Sequence, residues 1–547
     1  MFGECNDRLP RVLALLIASA VWVSGCSGDE AAESEGDWQR PNIVLLMAED
    51  IGLQLGAYGD EVAVTPTIDR LASEGMRYDM AFAPSGVCAP ARTSLMMGTY
   101  PSTIGGHHMR AGNRGYDMVP PPDMKGYAEM LRAAGYYCTN NSKTDYQMGG
   151  VGGTPPSIWD EVGDVDWRGR APGQPFLAVF TLFESHESRL LAPTEGPTDP
   201  ASVSVPPYYP DTPVVREDYV RYYNNIDSMD GVAARILNRL EADGLTESTL
   251  VVFIGDNGAG FPRDKRWPYD GGIHVPMIVR FPGRVDAGSI NEELISFVDF
   301  APTLLTLAGV EVPEHMPGRV FLGPDREPER DYVFAGADRH SEAEDRIRVV
   351  RDRQYKYVRH YRPGEPYGQP VPLRDNVATM QEIYRLEEAG ELFPPARWFF
   401  EIKPEEELYD TLEDPFEIDN RVDDPSLSDV LSRMRTEHER WRAEFDVWGG
   451  VPEAEMAEQF WPNGEQPETL PPVIDPPGGA LDEPATVRLE SATEGASIEY
   501  TLESGDDARW RLYTGEFEVV DAATLRARAV RYGFATSDET TASFVRQ

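Results

Sequence analysis

Two apolar runs of the same kind each end in oxygen-bearing residues. Residues 43–48 (IVLLMA) lead into Glu49-Asp50, and residues 250–255 (LVVFIG) lead into Asp256-Asn257. Three carboxylates and an amide make an all-oxygen set that suits a hard divalent cation, Ca²⁺ first and Mg²⁺ second. Without a cation such a set repels itself. A third apolar run, residues 176–183, ends in Glu184-Ser185-His186. Residues 86–95 (GVCAPARTSL) offer a second kind of chemistry. Residues 84–87 lack helical character whereas residues 91–97 can start a helix, so Cys88 falls near a helix N-terminus, where free backbone N–H groups and the dipole favour an anion. A thiol there is expected to be acidified. Arg92, one turn on, presents a planar fork to a tetrahedral oxyanion.

An acid pair on a loop is ordinarily solvated surface, and an isolated Lys or His is ordinarily structural. These residues gain significance from the elements that must carry them. Continuous apolar runs suit strands of a parallel sheet covered on both faces, and the carboxyl ends of such strands gather distant residues at one edge. Helical patterns separate the runs over residues 67–74, 127–134 and 215–243. The last carries Tyr219, Tyr222, Tyr223, Ile226, Met229, Val232, Ile236 and Leu240 at helical spacing. The fold class is therefore α/β. Residues 38–345 are expected to form the catalytic unit and residues 346–450, with short alternating strands and a helix from about 426 to 445, an α+β subdomain. A Pro- and Glu-rich linker over 451–477 precedes an all-β sandwich over 478–547, where residues 485–489, 497–501 and 524–530 alternate at strand period.

The stretch CAPAR, residues 88–92, resembles the C-x-P-x-R signature of type I sulfatases of the alkaline phosphatase-like superfamily. Residues 41–50 (PNIVLLMAED), 65–72 (TPTIDRLA), 98–101 (GTYP), 256–258 (DNG) and 269–276 (YDGGIHVP) are similar to sulfatase segments in the same order. The resemblance spans roughly residues 38–450 and implies a large, mostly parallel central sheet followed by a smaller α+β subdomain. It implies that a formylglycine-generating enzyme oxidises Cys88 to formylglycine (3-oxoalanine), whose hydrate is the nucleophile. That position, Glu49, Asp50, Asp256 and Asn257 are implied as the cation's ligands. Arg92, Lys143 in NSKTD and Lys265 in DKRW are implied as partners of the nucleophile and the sulfate, and His186 as the group beside the leaving oxygen. Two positions depart from the family pattern. The first metal acid is usually aspartate, and Glu49 is one methylene longer. The histidine often found two residues after the first lysine is here Asp145, which reads as a base, a substrate contact or a structural residue. The NSKTDY form and the stretch from His107 to Arg110 look most like the branch of heparan N-sulfatase and bacterial polysaccharide sulfatases, making His107, His108 and Asp145 candidate substrate contacts. His274, where the family commonly has arginine, reads as structural. Tyr208, Tyr209 and Trp167 read either as walls of a sugar cleft or as core. The terminal module resembles the small sandwich appended to chitobiase, as a spacer, a positioning element or a carbohydrate binder.

The chain of 547 residues carries 50 Lys+Arg against 93 Asp+Glu, a net charge of −43, which argues against a nucleic-acid or anionic-membrane binder. The N-terminus has Arg8 and Arg11, an apolar run over 12–23 and then Ser24-Gly25-Cys26, the layout of an export signal. Its ending resembles a bacterial lipoprotein signal, in which Cys26 becomes the lipidated first residue; the alternative is an ordinary signal peptide with an incidental cysteine. Residues 27–37 read as a solvated acidic tether, so that membrane contact is expected only through the lipid anchor. Cys138, in a strand-like run, reads as a buried apolar residue. The expected function is an exported sulfatase acting on a sulfated glycan, with the oligomeric state left open. The alternatives are a phosphate or phosphonate ester hydrolase of the same superfamily and a non-catalytic surface glycan-binding protein.

Overall fold

The structure, a computed structural model, describes residues 40–150 and 152–546. The export signal, Cys26 and the acidic tether lie outside the described residues. Strands β1 (Asn42–Ala48), β2 (Met76–Tyr78), β3 (Tyr137–Asn141), β4 (Glu161–Gly163), β5 (Phe176–Leu182), β6 (Thr249–Gly255), β7 (Met277–Arg280) and β8 (Ser289–Asn291) form one sheet in the order β4-β3-β5-β1-β6-β7-β2-β8. The five strands from β4 to β6 run parallel; β7 is antiparallel to both β6 and β2. The runs that begin this sheet are apolar throughout because both of its faces are covered. Ile43, Leu45 and Met47 point into one core, and Val44, Leu46 and Ala48 into the other. Helices α1 (Cys88–Met97), α2 (Tyr127–Ala133) and α4 (Phe300–Leu307) contribute to the first core, and the 30-residue α3 (Pro213–Ala242) to the second. Helix α3 starts with Pro213 at its first turn and with the Thr212 side chain accepting from Val215 N–H, two features that suit an N-terminus. Trp167 is fully buried against Phe176, and Cys138 lies at 0% exposure in the first core, so both are packing residues.

A second, antiparallel sheet runs β9 (Val333–Ala337), β10 (Ile347–Arg351), β11 (Tyr355–His360) and β12 (Glu406–Asp410), covered by α5 (Ser428–Phe445) through Leu431, Met434 and Trp441. It begins ahead of the boundary expected at 346. Val333, Phe334 and Ala335 are all buried and Gly336 follows, so β9 carries no alternation to reveal it. Residues 451–477, expected as a Pro- and Glu-rich linker, include a packed helix. Helix α6 (Glu453–Phe460) buries Met456 and Phe460, and the Phe460 ring packs so closely on Gly105 that a β-carbon there would clash. The terminal sandwich starts at Val473. It stacks a three-stranded and a five-stranded sheet around Val487, Leu489, Leu525, Ala527 and Phe544.

Candidate active site

The register of the central sheet explains how the acids meet. Ala48 at the end of β1 is level with Leu182 of β5 and Gly255 of β6, so the residues that follow all three strands emerge at one edge. Glu49, Asp50, Asp256 and Asn257 are each fully buried there. Asp50 takes a left-handed backbone (φ 50°), and its N–H donates to Asp256 Oδ1 at 3.1 Å. The Asn257 amide donates to Asp50 Oδ1 at 3.0 Å, while its carbonyl oxygen, Oδ1, is buried with no hydrogen-bond partner among the described residues. Ligand atoms of Glu49, Asp50 and His186 lie within 4.8 Å of one another. An orphaned amide oxygen beside clustered carboxylates fits a hard divalent cation. Burial, reinforced by the Glu49 charge, pushes Asp256 up to about 7, the repulsion that a cation relieves. Burial also works to raise Glu49, but Arg92 and Lys143 outweigh it and hold that carboxyl well below the usual range.

Three cations converge on this floor. Arg92, one turn into α1 and fully buried, donates from Nε to Asp256 Oδ2 at 3.1 Å, from Nη1 to Thr181 Oγ1 at 3.2 Å, and from Nη2 to Glu49. Lys143 follows β3 and donates to Glu49 Oε2 at 2.5 Å. Lys265 donates to Asp50 Oδ2 at 2.7 Å and lies 3.1 Å from Glu187 Oε1. Cys88 is the first residue of α1. Its Sγ lies 3.4 Å from Asp145 Oδ2, which itself sits 3.5 Å from Lys143 Nζ. His186 comes off the end of β5, stacked on Phe183, with Nε2 3.8 Å from Asp50 and 4.0 Å from Glu49. Its Nδ1 is held by Ser188, 2.8 Å from Oγ and 3.2 Å from the backbone N, which turns Nε2 toward the acidic cluster. An open cleft of about 720 Å³ reaches this assembly and is lined by Arg110, Lys143, Asp145, Gln147, Phe183 and His186 among others. A buried thiol, cationic side chains and an acidic cluster at the base of a wide cleft are suited to attack on a tetrahedral oxyanion.

Two family models match. The one described as Sulfatase covers residues 41–154 and 164–310, and the one described as N-sulphoglucosamine sulphohydrolase, C-terminal, covers residues 260–393. An ulvan-active sulfatase of Formosa agariphila is 38% identical over 550 residues, which cover 91% of this chain and 90% of that protein. The chain belongs to the sulfatase family. Human N-sulphoglucosamine sulphohydrolase is 26% identical, over 77% of this chain and 94% of the human protein. The sulfatase also shares its fold with a protein solved in complex with its substrate D-glucosamine-2-N,6-O-disulfate. That match has a TM-score of 0.54 at 17% identity and covers 76% of this chain and 99% of the other.

Two expectations change on the sulfatase's geometry. The Cys88 thiol is not acidified. It is fully buried, and burial, aided by the Asp145 and Glu49 charges and opposed by Lys143, pushes it up to about 12, overriding the helix N-terminus. His107 and His108 do not line the cleft. They are 5% and 9% exposed, burial lowers both to about 3, and His108 Nδ1 accepts from Arg339 N–H at 3.3 Å behind the site. Tyr208 and Tyr209, open to two readings, are both buried with their hydroxyls on Asp264, and Tyr208 also lines a second cavity of about 420 Å³. His274 packs on Phe82 with Nε2 2.7 Å from Asp79 O, the structural role expected of it. Sequence reasoning passed over two charged groups of the site. Arg110 faces the cleft, grips Asp145 with Nε and Nη2 at 3.2 and 3.0 Å, and reaches to 3.9 Å from Cys88 Sγ. Glu187 bridges Lys265 and Arg266, and its N–H donates to Asp50 Oδ2 at 2.7 Å. Their signals were positional: Arg110 closes the stretch that runs from His107 to Arg110, and Glu187 follows His186 directly.

Proposed function

We propose that this sulfatase hydrolyses sulfate esters of a sulfated carbohydrate, with position 88 converted to formylglycine and a divalent cation, Ca²⁺ first, on the acidic floor. The observation that carries the reading is the convergence of Arg92, Lys143 and Lys265 on buried Glu49, Asp50 and Asp256, close enough to Cys88 for the two lysine charges to act on its thiol. The 38% identity to an ulvan-active sulfatase supports an ulvan-type polysaccharide as the first substrate class, and the N-sulphoglucosamine sulphohydrolase match supports an N-sulfated hexosamine as the second. Export with a lipid anchor at Cys26 is supported by the charged, apolar and small-residue order of the first 26 residues.

Glu49, Asp50, Asp256 and Asn257 would hold the cation, which supplies charge neutralisation for the bound sulfate and the nucleophile. Formylglycine would supply an aldehyde hydrate, one hydroxyl of which serves as the nucleophile while the other, by losing its proton, restores the aldehyde and expels sulfate. The thiol itself, fully buried and pushed up to about 12, is almost wholly protonated at neutral pH and is a poor nucleophile, which favours its role as a precursor. Arg92, paired with Asp256, Lys143, paired with Glu49, and Lys265, paired with Asp50, neutralise sulfate oxygens. Burial disfavours the charged forms of all three, yet the surrounding anionic groups hold their pKa values above the usual ranges, so they remain cationic across the working pH. His186, through Nε2, or the Lys265 ammonium protonates the departing oxygen.

The test is sulfate release from a panel of defined ulvan-type and N-sulfated oligosaccharides, with intact-mass analysis of the peptide holding residue 88. Release that depends on the aldehyde form is the expected result. Equal turnover by a Cys88→Ala variant would sink the nucleophile assignment, and cleavage of aryl phosphate in preference to every sulfate would shift the reading to phosphoester hydrolysis. Detergent-phase partitioning lost in Cys26→Ser checks the anchor.

A further inference from the structure

The terminal sandwich meets the catalytic unit through a buried polar interface rather than through an extended connection. Tyr532 is fully buried and belongs to the same core as Met96, Met118 and Tyr127 of the catalytic unit. Its hydroxyl donates to Glu129 Oε2 at 2.7 Å and accepts from Gly126 N–H at 3.2 Å, both on or beside α2. Glu129 also accepts from Ser497 of the sandwich. Arg132, one turn on, donates to Glu499 Oε1 at 2.9 Å and to Trp510 O at 2.6 Å. Lys125 donates to Gly495 O and to Ser497 Oγ at 2.7 and 2.8 Å. A buried network with its groups paired in this way fixes one geometry, because any slippage leaves charges unpaired in a dry interface.

That fixed interface touches the turn that carries Asp145. Gly533, next to Tyr532, donates its N–H to Met148 O at 2.8 Å. The turn is conformationally costly. Ser142, Asp145 and Gln147 all have left-handed backbones (φ 68°, 60° and 61°), which residues with a β-carbon adopt at a cost. Such a run persists only where its surroundings over-determine it. From the catalytic side, Gln147 O accepts from Met118 N–H and the Gln147 amide donates to Gly106 O; from the other side stands Gly533. The approach is close enough that a β-carbon on Gly533 would lie 2.5 Å from Met118 O and from Val119 Cγ2, so only glycine fits.

We propose that the sandwich is a positioning element of the active site: Tyr532 and Gly533, anchored on Glu129 and Met148, clamp the strained turn that presents Asp145 to residue 88. The inference rests on the reading that residue 88 carries the nucleophile, because only then does the placement of Asp145, 3.4 Å from its side chain, set a rate. Tyr532 and Gly533 touch neither substrate nor the reacting atoms; they act through the turn.

The experiment uses the full chain with Tyr532→Phe, which removes one hydroxyl, and Gly533→Ala, which forces the contact open. Val473→Ser, on an exposed site of the same module, is the control. Amide hydrogen exchange over residues 142–150 is read together with kcat and KM. Both interface variants are expected to exchange at least about tenfold faster over the turn, and to lose about 10- to 100-fold in kcat with KM changed by less than about threefold, the mark of misplaced catalytic groups in a site that still binds. Exchange at the parent rate over the turn overturns the clamp. Faster exchange with kcat unchanged overturns its catalytic role and leaves the sandwich as a stabilising appendage. The exchange arm needs no turnover, so a protein with no sulfatase activity would defeat the functional reading without silencing the test of the clamp. Tyr532→Phe keeps the inference falsifiable should Gly533→Ala not fold.

Discussion

Glu49-Asp50 and Asp256-Asn257 leave adjacent parallel strands in a register that pairs Ala48 with Gly255, whereas Lys143 and Asp145 sit on a turn off β3, held by residues from the far end of the chain. The floor of the cleft follows from two strand ends and the buried ion pairs between them. The wall beside it depends on Arg110, on the left-handed residues of the turn and on the docked sandwich. Chemistry built on strand ends inherits the rigidity of the sheet. Chemistry built on a turn needs outside support, and it is also the part of the site that loop changes can retune without disturbing the fold.

The largest effects are expected at the floor. Cys88→Ala should lower kcat by at least about 10⁴-fold, the usual consequence of deleting a nucleophile, while the fold survives because the residue packs as a small apolar group. Arg92→Ala should lose activity comparably and also destabilise the chain, by about 3–5 kcal/mol, since it strips a fully buried guanidinium from two buried carboxylates. Denaturant melts beside kinetics separate the two losses. At the wall, Asp145→Asn keeps the shape but removes the charge facing residue 88 and Arg110, and about a 10²-fold fall in kcat is expected. A fall in Asp145→Asn as large as that in Cys88→Ala would erase the distinction between floor and wall.

The floor was legible in the sequence because each acid stands directly after an apolar run, and a parallel sheet brings such ends to one edge. Cys88, Arg92, Lys143, His186 and Lys265 were named on motif order, and the structure brings them to that edge too. The wall was legible only in part. Asp145 was seen as a substitution, but its partner Arg110 was not, because nothing local marks an arginine that turns back over a cleft. His107 and His108 were over-read: resemblance of their stretch to one sulfatase branch suggested substrate contacts, and tertiary packing buries both. The helix at 453–460 was hidden by the Pro and Glu around it, though Met456 and Phe460 stand four residues apart on its buried face. Gly126 and Tyr532 are 406 residues apart, and no local pattern encodes a contact at that range.

Calcium offers a gentler probe of the floor. If Asn257 Oδ1 and the carboxylates bind the cation, saturating Ca²⁺ should raise Tm by a few degrees over protein in chelator, since a ligand at a hundred times its Kd adds about 2.7 kcal/mol. Exchange over residues 142–150 should respond less than exchange at the ends of β1 and β6. A uniform response would make floor and wall one cooperative unit.

The smallest expected effect lies at the support of the wall and is read by pH. Burial tends to raise Glu129, but Lys125 and the hydroxyls of Ser157, Ser497 and Tyr532 outweigh it and hold the carboxyl below its usual range. A carboxyl depressed on folding contributes stability that is present above its unfolded pKa and is lost as pH falls through the folded one. Glu129→Gln should therefore lower Tm at pH 7, and the gap to the parent should close once pH drops below the ordinary glutamate range, about 4.3. Melts of both proteins between pH 7 and pH 3 test this. A gap that stays constant across that range would mean that Glu129 acts at the interface through its shape and hydrogen bonds alone, and that the docked sandwich owes nothing to the buried charge.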